Sequence, residues 1–438
     1  MASAPAAPAG SQTIVLEARD DKERIPPLSV GSWVLYDFAN TIFSLNIISQ
    51  FFPLFITRNL QLADVWYAYP MSASLLVVAL VSPLLGSLSD RKGGKRIPWL
   101  IGCTLLCVSM TAVMGVVSDL YLIIIALIIA NIGYQTGLIF YDALLPSVST
   151  TLNWGKISGL GVGLGYVGSL AGAFAVLPFV SMYGTNQATF LPTAVLFLVF
   201  AIPSFLFVRE RPNATHRLAV PKEPLTWRNS LAQTWRTIGE TRQVPGLFNF
   251  LLANFFYSDA LSTVIVAMGV YAVNAIGFGT ALEVLAPATV AAIIGSLLFG
   301  LITDRLTAKR SLVIALLIWV VVFVSAMFLT DKFLFQAFVA PLAGIALGGT
   351  WTAARTMMIE LSPPARLGEF LGIYNLTGKV SAVIGPLLWG TTLLILDPKV
   401  HGHFAYQVAI GTLLVMVLIG LALHLRTPNI RRQRSKSI

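Results

Sequence analysis

Two stretches of this chain share one pattern of glycine and charge: GSLSDRKGGKR at residues 86–96 and GLITDRLTAKR at residues 300–310. Five identities match in register: Gly86, Asp90, Arg91, Lys95 and Arg96 correspond to Gly300, Asp304, Arg305, Lys309 and Arg310. Each stretch lies between two long apolar segments, and the second begins 214 residues after the first. We therefore expect two copies of one membrane unit, an architecture typical of proteins that move solutes.

The composition is that of a membrane protein. Hydrophobic residues make up 56% of the 438 residues and charged residues 11%, whereas soluble domains carry roughly 25% charged residues. A spanning helix needs about 20 mostly apolar residues. Twelve segments meet this requirement, near 31–57, 66–88, 98–118, 119–146, 157–183, 189–208, 245–275, 280–303, 311–330, 333–361, 369–395 and 403–425. The sequence predicts an all-α membrane protein with twelve transmembrane helices in two pseudo-symmetric six-helix bundles.

The predicted spans divide the chain into five parts. They are a disordered tail at 1–28, the first bundle at 29–208, a linker at 209–244, the second bundle at 245–426 and a basic tail at 427–438. Within the linker, Trp227, Leu231, Trp235 and Ile238 recur at helical spacing, which indicates a short helix lying on the membrane surface. A solvated linker with incidental tryptophans explains the same pattern nearly as well.

The net charge of +10 is unevenly distributed over this topology. Of the 29 Lys and Arg residues, 24 fall in tails and loops on one side of the membrane. Only Arg58, Lys332 and Lys399 fall on the other side. The positive-inside rule makes the richer side cytoplasmic, so we expect both termini in the cytoplasm. This distribution argues against a nucleic-acid partner.

Polar side chains within the spans are concentrated on five helices. They are Asp37, Asn40, Thr41 and Ser44 on the first, Asn131, Tyr134, Gln135 and Asp142 on the fourth, Asp259, Ser262 and Thr263 on the seventh, Thr352 and Arg355 on the tenth, and Asn375 and Lys379 on the eleventh. Spans three, six, nine and twelve carry no charge in their interiors. Because intramembrane charges face protein or water, helices 1, 4, 7, 10 and 11 are predicted to line a shared cavity. Gly385–Pro386 is expected to bend the eleventh helix beyond Lys379.

We select eight of these residues as the candidate substrate site: Asp37, Asn40, Tyr134, Gln135, Asp259, Arg355, Asn375 and Lys379. A charge at the centre of a span costs about 2.5–3.5 kcal/mol, which some function or partner must offset. Arg355 and Lys379 could bind a carboxylate of the substrate, while an aspartate holds an amino group or exchanges a proton. Alternatively, the charges pair with each other as a gate or packing device. The mid-span positions of Lys379 and Asp259 favour function for these two.

The charges of the repeated motif lie at helix ends. A carboxylate there can cap the N-terminus of a neighbouring helix, where the helix dipole favours negative charge. We assign six motif residues to gating: Asp90, Arg91, Arg96, Asp304, Arg305 and Arg310. The basic residues among them also help to fix the topology.

These motifs resemble those of the major facilitator superfamily. GSLSDRKGGKR is similar to its signature between helices 2 and 3, and GLITDRLTAKR to the weaker echo between helices 8 and 9, although Thr307 and Ala308 replace Gly93 and Gly94. A finer resemblance is to the vacuole-effluxer-like branch, which includes fungal vacuolar amino-acid effluxers and bacterial permeases. It rests on WVLYDFANTIF at 33–43, GLGYVGSL at 163–170 and RLGEFLGIYNLTGKVSAVIGPLLWG at 366–390.

The resemblance implies alternating access around a central cavity, with helices 3, 6, 9 and 12 at the periphery and motif loops that latch the cytoplasmic face. We predict a secondary active transporter for a small charged or zwitterionic, amino-acid-like solute, driven by a proton gradient or by the solute's own gradient. Export of amphiphilic drugs or metabolites is an alternative, and a non-transporting membrane receptor is an alternative of another class.

The sequence shows no nucleotide-binding motif, zinc-ligand spacing or hydrolase constellation, so we expect no enzyme activity and no cofactor. The HGH at 401–403 is a poor metal site because two ligands alone bind weakly. The expected partners are a small-molecule substrate, the lipid bilayer and protons as a coupling ion. The protein is expected to be a monomer in the inner membrane of a bacterium.

Overall fold

The computed structural model describes residues 13–17, 25–63, 65–91, 95–210, 236–279, 282–382, 384–396 and 398–433. Twelve long helices in these ranges follow the twelve predicted spans. They are α1 (Pro27–Asn59), α2 (Val65–Arg91), α3 (Ile97–Val116), α4 (Leu120–Ala143), α5 (Trp154–Tyr183), α6 (Phe190–Phe207), α7 (Leu247–Tyr271), α8 (Leu282–Arg305), α9 (Ala308–Phe328), α10 (Lys332–Leu361), α11 (Leu367–Ser381 and Ile384–Ile395) and α12 (His403–Leu425).

Among the described residues, eleven helices of 20 to 33 residues are long and apolar enough to cross a membrane. Helix α7, with 25 residues, falls within the same range of lengths. Wide π-type turns lie within or extend several helices, at Ser44–Phe51, Phe55–Asn59, Ala272–Ile276 and Phe335–Val339. Short helical turns lie at Leu145–Val148, Asn186–Thr189, Pro364–Arg366 and Pro398–His401. This nearly all-helical membrane architecture confirms the predicted fold class.

The helices begin and end where their sequences favour it. Proline occupies the first turn of α1 and α3, where its missing N–H group would have no helical partner. The side chains of Asp119 and Asp331 cap α4 and α10 by accepting hydrogen bonds from the backbone N–H groups of Leu122 and Leu334, each at 2.9 Å. Successive helices cross the membrane in alternate directions. The capped ends of α4 and α10 are therefore on the same membrane face, and the first residue of α1 and the last residue of α12 are on the opposite face.

We call this second face the basic face, because it carries both repeated motifs and most of the Lys and Arg residues. Helices α3, α6, α9 and α12 pack against helices of their own bundle. The two bundles meet chiefly through α2 against α11 and α5 against α8. The charge-free helices are thus peripheral, as the charge pattern predicts.

Small residues bring the bundles into close contact near the basic face. A Cβ atom added to Gly155 of α5 would lie 2.7 Å from the carbonyl oxygen of Gly300 on α8, and one added to Gly159 would collide with Ser296. On the other side of the interface, a Cβ atom on Gly368 of α11 would lie 2.7 Å from the carbonyl oxygen of Gly86 on α2. Glycine therefore permits backbone-to-backbone packing at both crossings.

The N-terminal tail differs from the sequence expectation. Residues 1–28 were expected to be disordered, yet Thr13–Glu17 forms strand β1, which pairs in parallel with strand β2 at Asn429–Gln433. Helix α1 also begins at Pro27, within the expected tail. The proposed surface helix of the linker lies mostly outside the described residues, which include only its helical end at 236–240.

Candidate functional site

An ion cluster joins the two bundles in the half of the molecule nearer the basic face. Arg355 of α10 reaches Asp142 of α4, with 2.8 Å between Nε and Oδ1. It also reaches Asp37 of α1, with 3.5 Å between Nη1 and Oδ2. Both carboxylates belong to the first bundle and the guanidinium group to the second. Arg355 and Asp37 therefore pair with each other in the structure, which was one of the two alternatives that the sequence left open.

Aromatic rings enclose this cluster. The Trp33 and Tyr141 rings stack with their centroids 4.4 Å apart, and the Arg355 guanidinium carbon lies 5.2 Å from the Tyr141 centroid. Cation–π attraction adds to the ion pairs when the ring face is desolvated. Since removing one partner of a buried ion pair typically costs 3–5 kcal/mol, the cluster holds the bundles together at this depth.

Lys379 lies deeper than the ion cluster. It follows the first residue of its helix, Leu367, by twelve positions, or about 18 Å, whereas Arg355 lies six positions, or about 9 Å, from the end of α10. Because the hydrocarbon core is about 30 Å thick, Lys379 is near the middle of the membrane. Its side chain is partly exposed and is attracted electrostatically by Asp142. Asn375, one turn earlier on α11, is also partly exposed.

No carboxylate oxygen of the described residues comes within ion-pair distance, 4.0 Å, of Lys379. Within the described chain, the carboxylates found in ion pairs are those of Asp37, Asp90, Asp142, Glu240 and Glu369, and their partners are arginines. Lys379 is therefore a mid-membrane cation that is attracted to the cluster without being bound by it.

Amide and phenol groups of the first bundle are buried on α1 and α4. Asn40 is 2% exposed, Gln135 is 7% exposed and Tyr134 is 9% exposed. Within the described part of the chain, Asn40 Oδ1 and Gln135 Oε1 have no hydrogen-bond partner. Asn131 lies one turn before Gln135, and its Oδ1 atom also has no hydrogen-bond partner among the described residues. The NH2 group of Asn131 donates to Ser74 Oγ at 2.6 Å. Unpaired buried acceptors are costly and mark these helices as a place where donor groups can bind.

Among the candidate residues, Asp259 is held by a contact within the second bundle. Its Oδ1 atom accepts a hydrogen bond from the backbone N–H group of Gly385, at 2.8 Å, in the second half of α11. No described residue forms an ion pair with it. Asp259 therefore caps a half-helix instead of joining Asp37, Asp142, Arg355 and Lys379.

The aspartates of the repeated motif cap helices across the bundle interface. Asp90 at the end of α2 accepts hydrogen bonds from the backbone N–H groups of Gly368, at 3.1 Å, and Glu369, at 2.9 Å, which begin α11. Asp304 at the end of α8 accepts from the N–H groups of Gly155, at 2.8 Å, and Lys156, at 2.7 Å, which begin α5. Both copies make the same contact, although the second lacks the two glycines of the first.

The basic residues of the two copies are not equivalent. Arg96 is buried, lies 3.4 Å from Asp90 Oδ1 and donates to the carbonyl oxygen of Ala143 at 3.1 Å. Arg305 and Arg310 are exposed at the surface. The side chain of Arg91 lies outside the described residues. In the first copy, Arg96 therefore supports the capping aspartate by an ion pair.

Asp142 belongs to the ion cluster but was not among the eight selected candidate residues. The sequence placed it on the same face of α4 as Asn131 and Gln135, which was a usable signal. It stands only one residue before the end of α4, however, and its partner Arg355 is far away in the sequence. A periodic pattern on one helix does not identify a partner on another.

This architecture defines a transporter of the major facilitator type. It has two six-helix bundles, every third helix lies at the periphery, and the motif aspartates lie at the bundle interface. A family model described as "Vacuole effluxer Atg22 like" matches residues 64–436. The chain belongs to this family. It is a multi-pass integral membrane protein and a transporter, not an enzyme.

Related proteins agree with this assignment. The MFS-type transporter YxiO of Bacillus subtilis (strain 168) is 29% identical over 416 residues, which cover 90% of this chain and 93% of that protein. Autophagy-related protein 22-1 of Aspergillus niger is 28% identical over 264 residues, which cover 54% of this chain and 42% of the fungal protein. The crystal structure of the human organic anion transporter MFSD10 matches with a TM-score of 0.72 at 14% identity, covering 92% of this chain and 100% of that chain. The last match concerns the fold alone.

Proposed function

We propose that this protein is a secondary active transporter for a small zwitterionic or charged organic solute of the amino-acid type. The observation that carries the proposal is Lys379, a mid-membrane cation with no carboxylate of the described residues within 4.0 Å. A lysine at this depth is expensive unless it meets an anion or water. A solute carboxylate is the partner that it can accept.

The first bundle supplies hydrogen-bond acceptors and negative charges. Asn40 and Gln135 present buried acceptor oxygens, and Asp37 and Asp142 add negative charge. A solute ammonium group needs three acceptors, since it carries three N–H donors. A zwitterion placed between the bundles would therefore meet a cation on the second bundle and acceptors on the first, which favours an amino-acid-like solute over a purely apolar one.

Alternating access is supported by the places where the bundles touch. The Asp90 and Asp304 caps, the Arg355 ion pairs and a hydrogen bond from Ser158 Oγ to the Thr352 carbonyl oxygen, at 3.2 Å, all lie in the half nearer the basic face. We assign the basic face to the cytoplasm by the positive-inside rule. These contacts then close the cytoplasmic side, and breaking them would open it.

The test is flux in proteoliposomes made with the purified protein. Labelled amino acids are screened by counterflow, and a transported solute is then followed with and without a pH gradient to measure proton coupling. We expect Lys379→Met to abolish flux and Lys379→Arg to retain part of it, because only the second keeps a cation. Lys332→Met, which removes an exposed lysine on the opposite face, is the matched control. Normal flux in folded Lys379→Met protein would refute the carboxylate site.

A further inference from the structure

Helix α11 is broken in the middle of the membrane. Its first half ends at Ser381 and its second half begins at Ile384. Proline at position 386 explains part of the break, because it has no N–H group to offer the carbonyl oxygen of Ala382 four residues earlier. Gly385 directs its own N–H group to Asp259, so the carbonyl oxygen of Ser381 also lacks its usual helical donor. Two backbone oxygens are thus released at the junction.

Asp259 meets this junction from α7. It is 0% exposed and lies twelve residues after Leu247, or about 18 Å into the membrane. Its Oδ1 atom binds Gly385, and its Oδ2 atom has no hydrogen-bond partner in the described chain. Both oxygens belong to one carboxylate, so Oδ2 also lies beside the break in α11. A buried carboxylate with one idle oxygen and no counterion within the described chain requires compensation.

Thr263 brings a further oxygen to the same place. Its Oγ1 atom donates to the carbonyl oxygen of Asp259 at 2.9 Å, which leaves its lone pairs free to face another group. A Cβ atom at position 385 would collide with Thr263 Oγ1 and lie 2.8 Å from Asp259 Oδ1. Glycine is therefore needed there to let the broken helix approach the Asp259–Thr263 face of α7.

We infer that Asp259, Thr263 and the carbonyl groups of Ser381 and Ala382 form a binding site for a sodium ion. All four ligands are oxygens, which hard cations prefer. A single carboxylate neutralises one positive charge, so a monovalent cation leaves the buried site neutral and a divalent cation does not. Breaks in transmembrane helices, where carbonyl groups are released, are suited to sodium coordination. A proton would need only one acceptor and would leave the other oxygens unused.

The site has a direct connection to Lys379. Lys379 lies two residues before Ser381, in the last turn of the first half of α11. A cation held by Ser381 and Ala382 would fix this turn and with it the position of the lysine. Sodium binding would therefore order the proposed carboxylate site without touching the solute.

The experiment measures cation binding without any solute, so its outcome is separate from that of the flux assay. The full chain in lipid nanodiscs is unfolded thermally at pH 7.5 in sodium chloride or choline chloride of equal ionic strength. We expect a saturable increase of Tm with sodium in the wild type. Asp259→Asn should remove the sodium dependence, because it keeps an oxygen for Gly385 while losing the charge. Asp119→Asn, at an exposed helix cap, is the matched control and should respond like the wild type.

Thr263→Val provides a second variant in case Asp259→Asn does not fold. Valine has the shape of threonine without the hydroxyl group, and we expect it to raise the half-saturating sodium concentration about tenfold. Equal Tm values in sodium and choline for the wild type would overturn the proposal. A sodium response that survives in both variants would also overturn it. A response to pH alone that is lost in Asp259→Asn would replace the sodium ion by a proton and overturn the site as stated.

Discussion

The two motif aspartates can be tested as latches between the bundles by replacing each with asparagine. Asp90 and Asp304 each accept two backbone N–H groups from a helix of the other bundle. Asparagine keeps one acceptor oxygen and loses the charge. A hydrogen bond to a charged group contributes about 1.5–3 kcal/mol against about 1 kcal/mol for a neutral one, and a charge at a helix N-terminus adds about 0.3–1 kcal/mol.

The expected loss is therefore about 1–3 kcal/mol for each aspartate. A change of this size multiplies the population open at the basic face by about 5–150. Asp90 and Asp304 cap different helices, so their effects should add, to about 2–6 kcal/mol in the double variant. In the proposed alternating-access mechanism the bundles separate as units, so Asp304→Asn alone should also loosen the contact made by Asp90.

Hydrogen exchange measured by mass spectrometry reports this opening directly. The amides of Gly155, Lys156, Gly368 and Glu369 are the donors to the two carboxylates, and peptides that contain them should exchange faster by the factors above. Asp119→Asn is the matched control, since Asp119 caps α4 within its own bundle at 2.9 Å. The reasoning is refuted if the double variant leaves these four amides unchanged, or if exchange rises equally throughout the protein.

Three further predictions concern other contacts. Arg355→Met should lower the free energy of unfolding by about 3–5 kcal/mol, because Asp37 and Asp142 are left unpaired. Adding Asp37→Asn and Asp142→Asn should restore most of the lost stability, measured by thermal unfolding. A triple variant as unstable as Arg355→Met would contradict the proposed pairing. Arg366 binds Glu240 at 2.6 Å and Glu369 at 2.8 Å, so Arg366→Gln should speed hydrogen exchange at 236–240. Unchanged exchange there would show that these ion pairs do not hold the linker. Gly159→Leu should push α5 away from α8 and open the basic face, which the same exchange assay detects. Gly102→Leu, with no heavy atom within 4 Å of an added Cβ, should leave the exchange rates unchanged. Equal effects of the two variants would exclude close packing as the cause.

The twelve helices could be predicted because each depends on a local property, a run of apolar residues long enough to cross a membrane. The break in α11 was predictable for the same reason, since Gly385 and Pro386 act on their own helix. The pairing of β1 with β2 was not, because five-residue strands at opposite ends of the chain carry no strong local signal. Contacts between distant segments need the three-dimensional arrangement.

The candidate site shows the same limit. Helical periodicity predicted polar faces on α1 and α4, but it could not show that Arg355 pairs with Asp142, or that Lys379 remains without an ion pair in the described chain. Nor could it separate Asp259 from the other charges. Asp259 and Lys379 stand at the same depth, twelve residues into α7 and α11, yet one faces the break in α11 and the other is attracted to Asp142.

The charges between the bundles also bear on the kind of solute. The ion cluster of Arg355, Asp37 and Asp142 carries one net negative charge and the nearby Lys379 carries one positive charge, so the four groups together are neutral. A zwitterion preserves this neutrality when it enters, whereas a simple anion leaves one uncompensated negative charge in a region of low dielectric constant. The same balance argues against a simple cation. The arrangement therefore favours a solute that carries both charges, and it does so without reference to any contact that the solute itself would make.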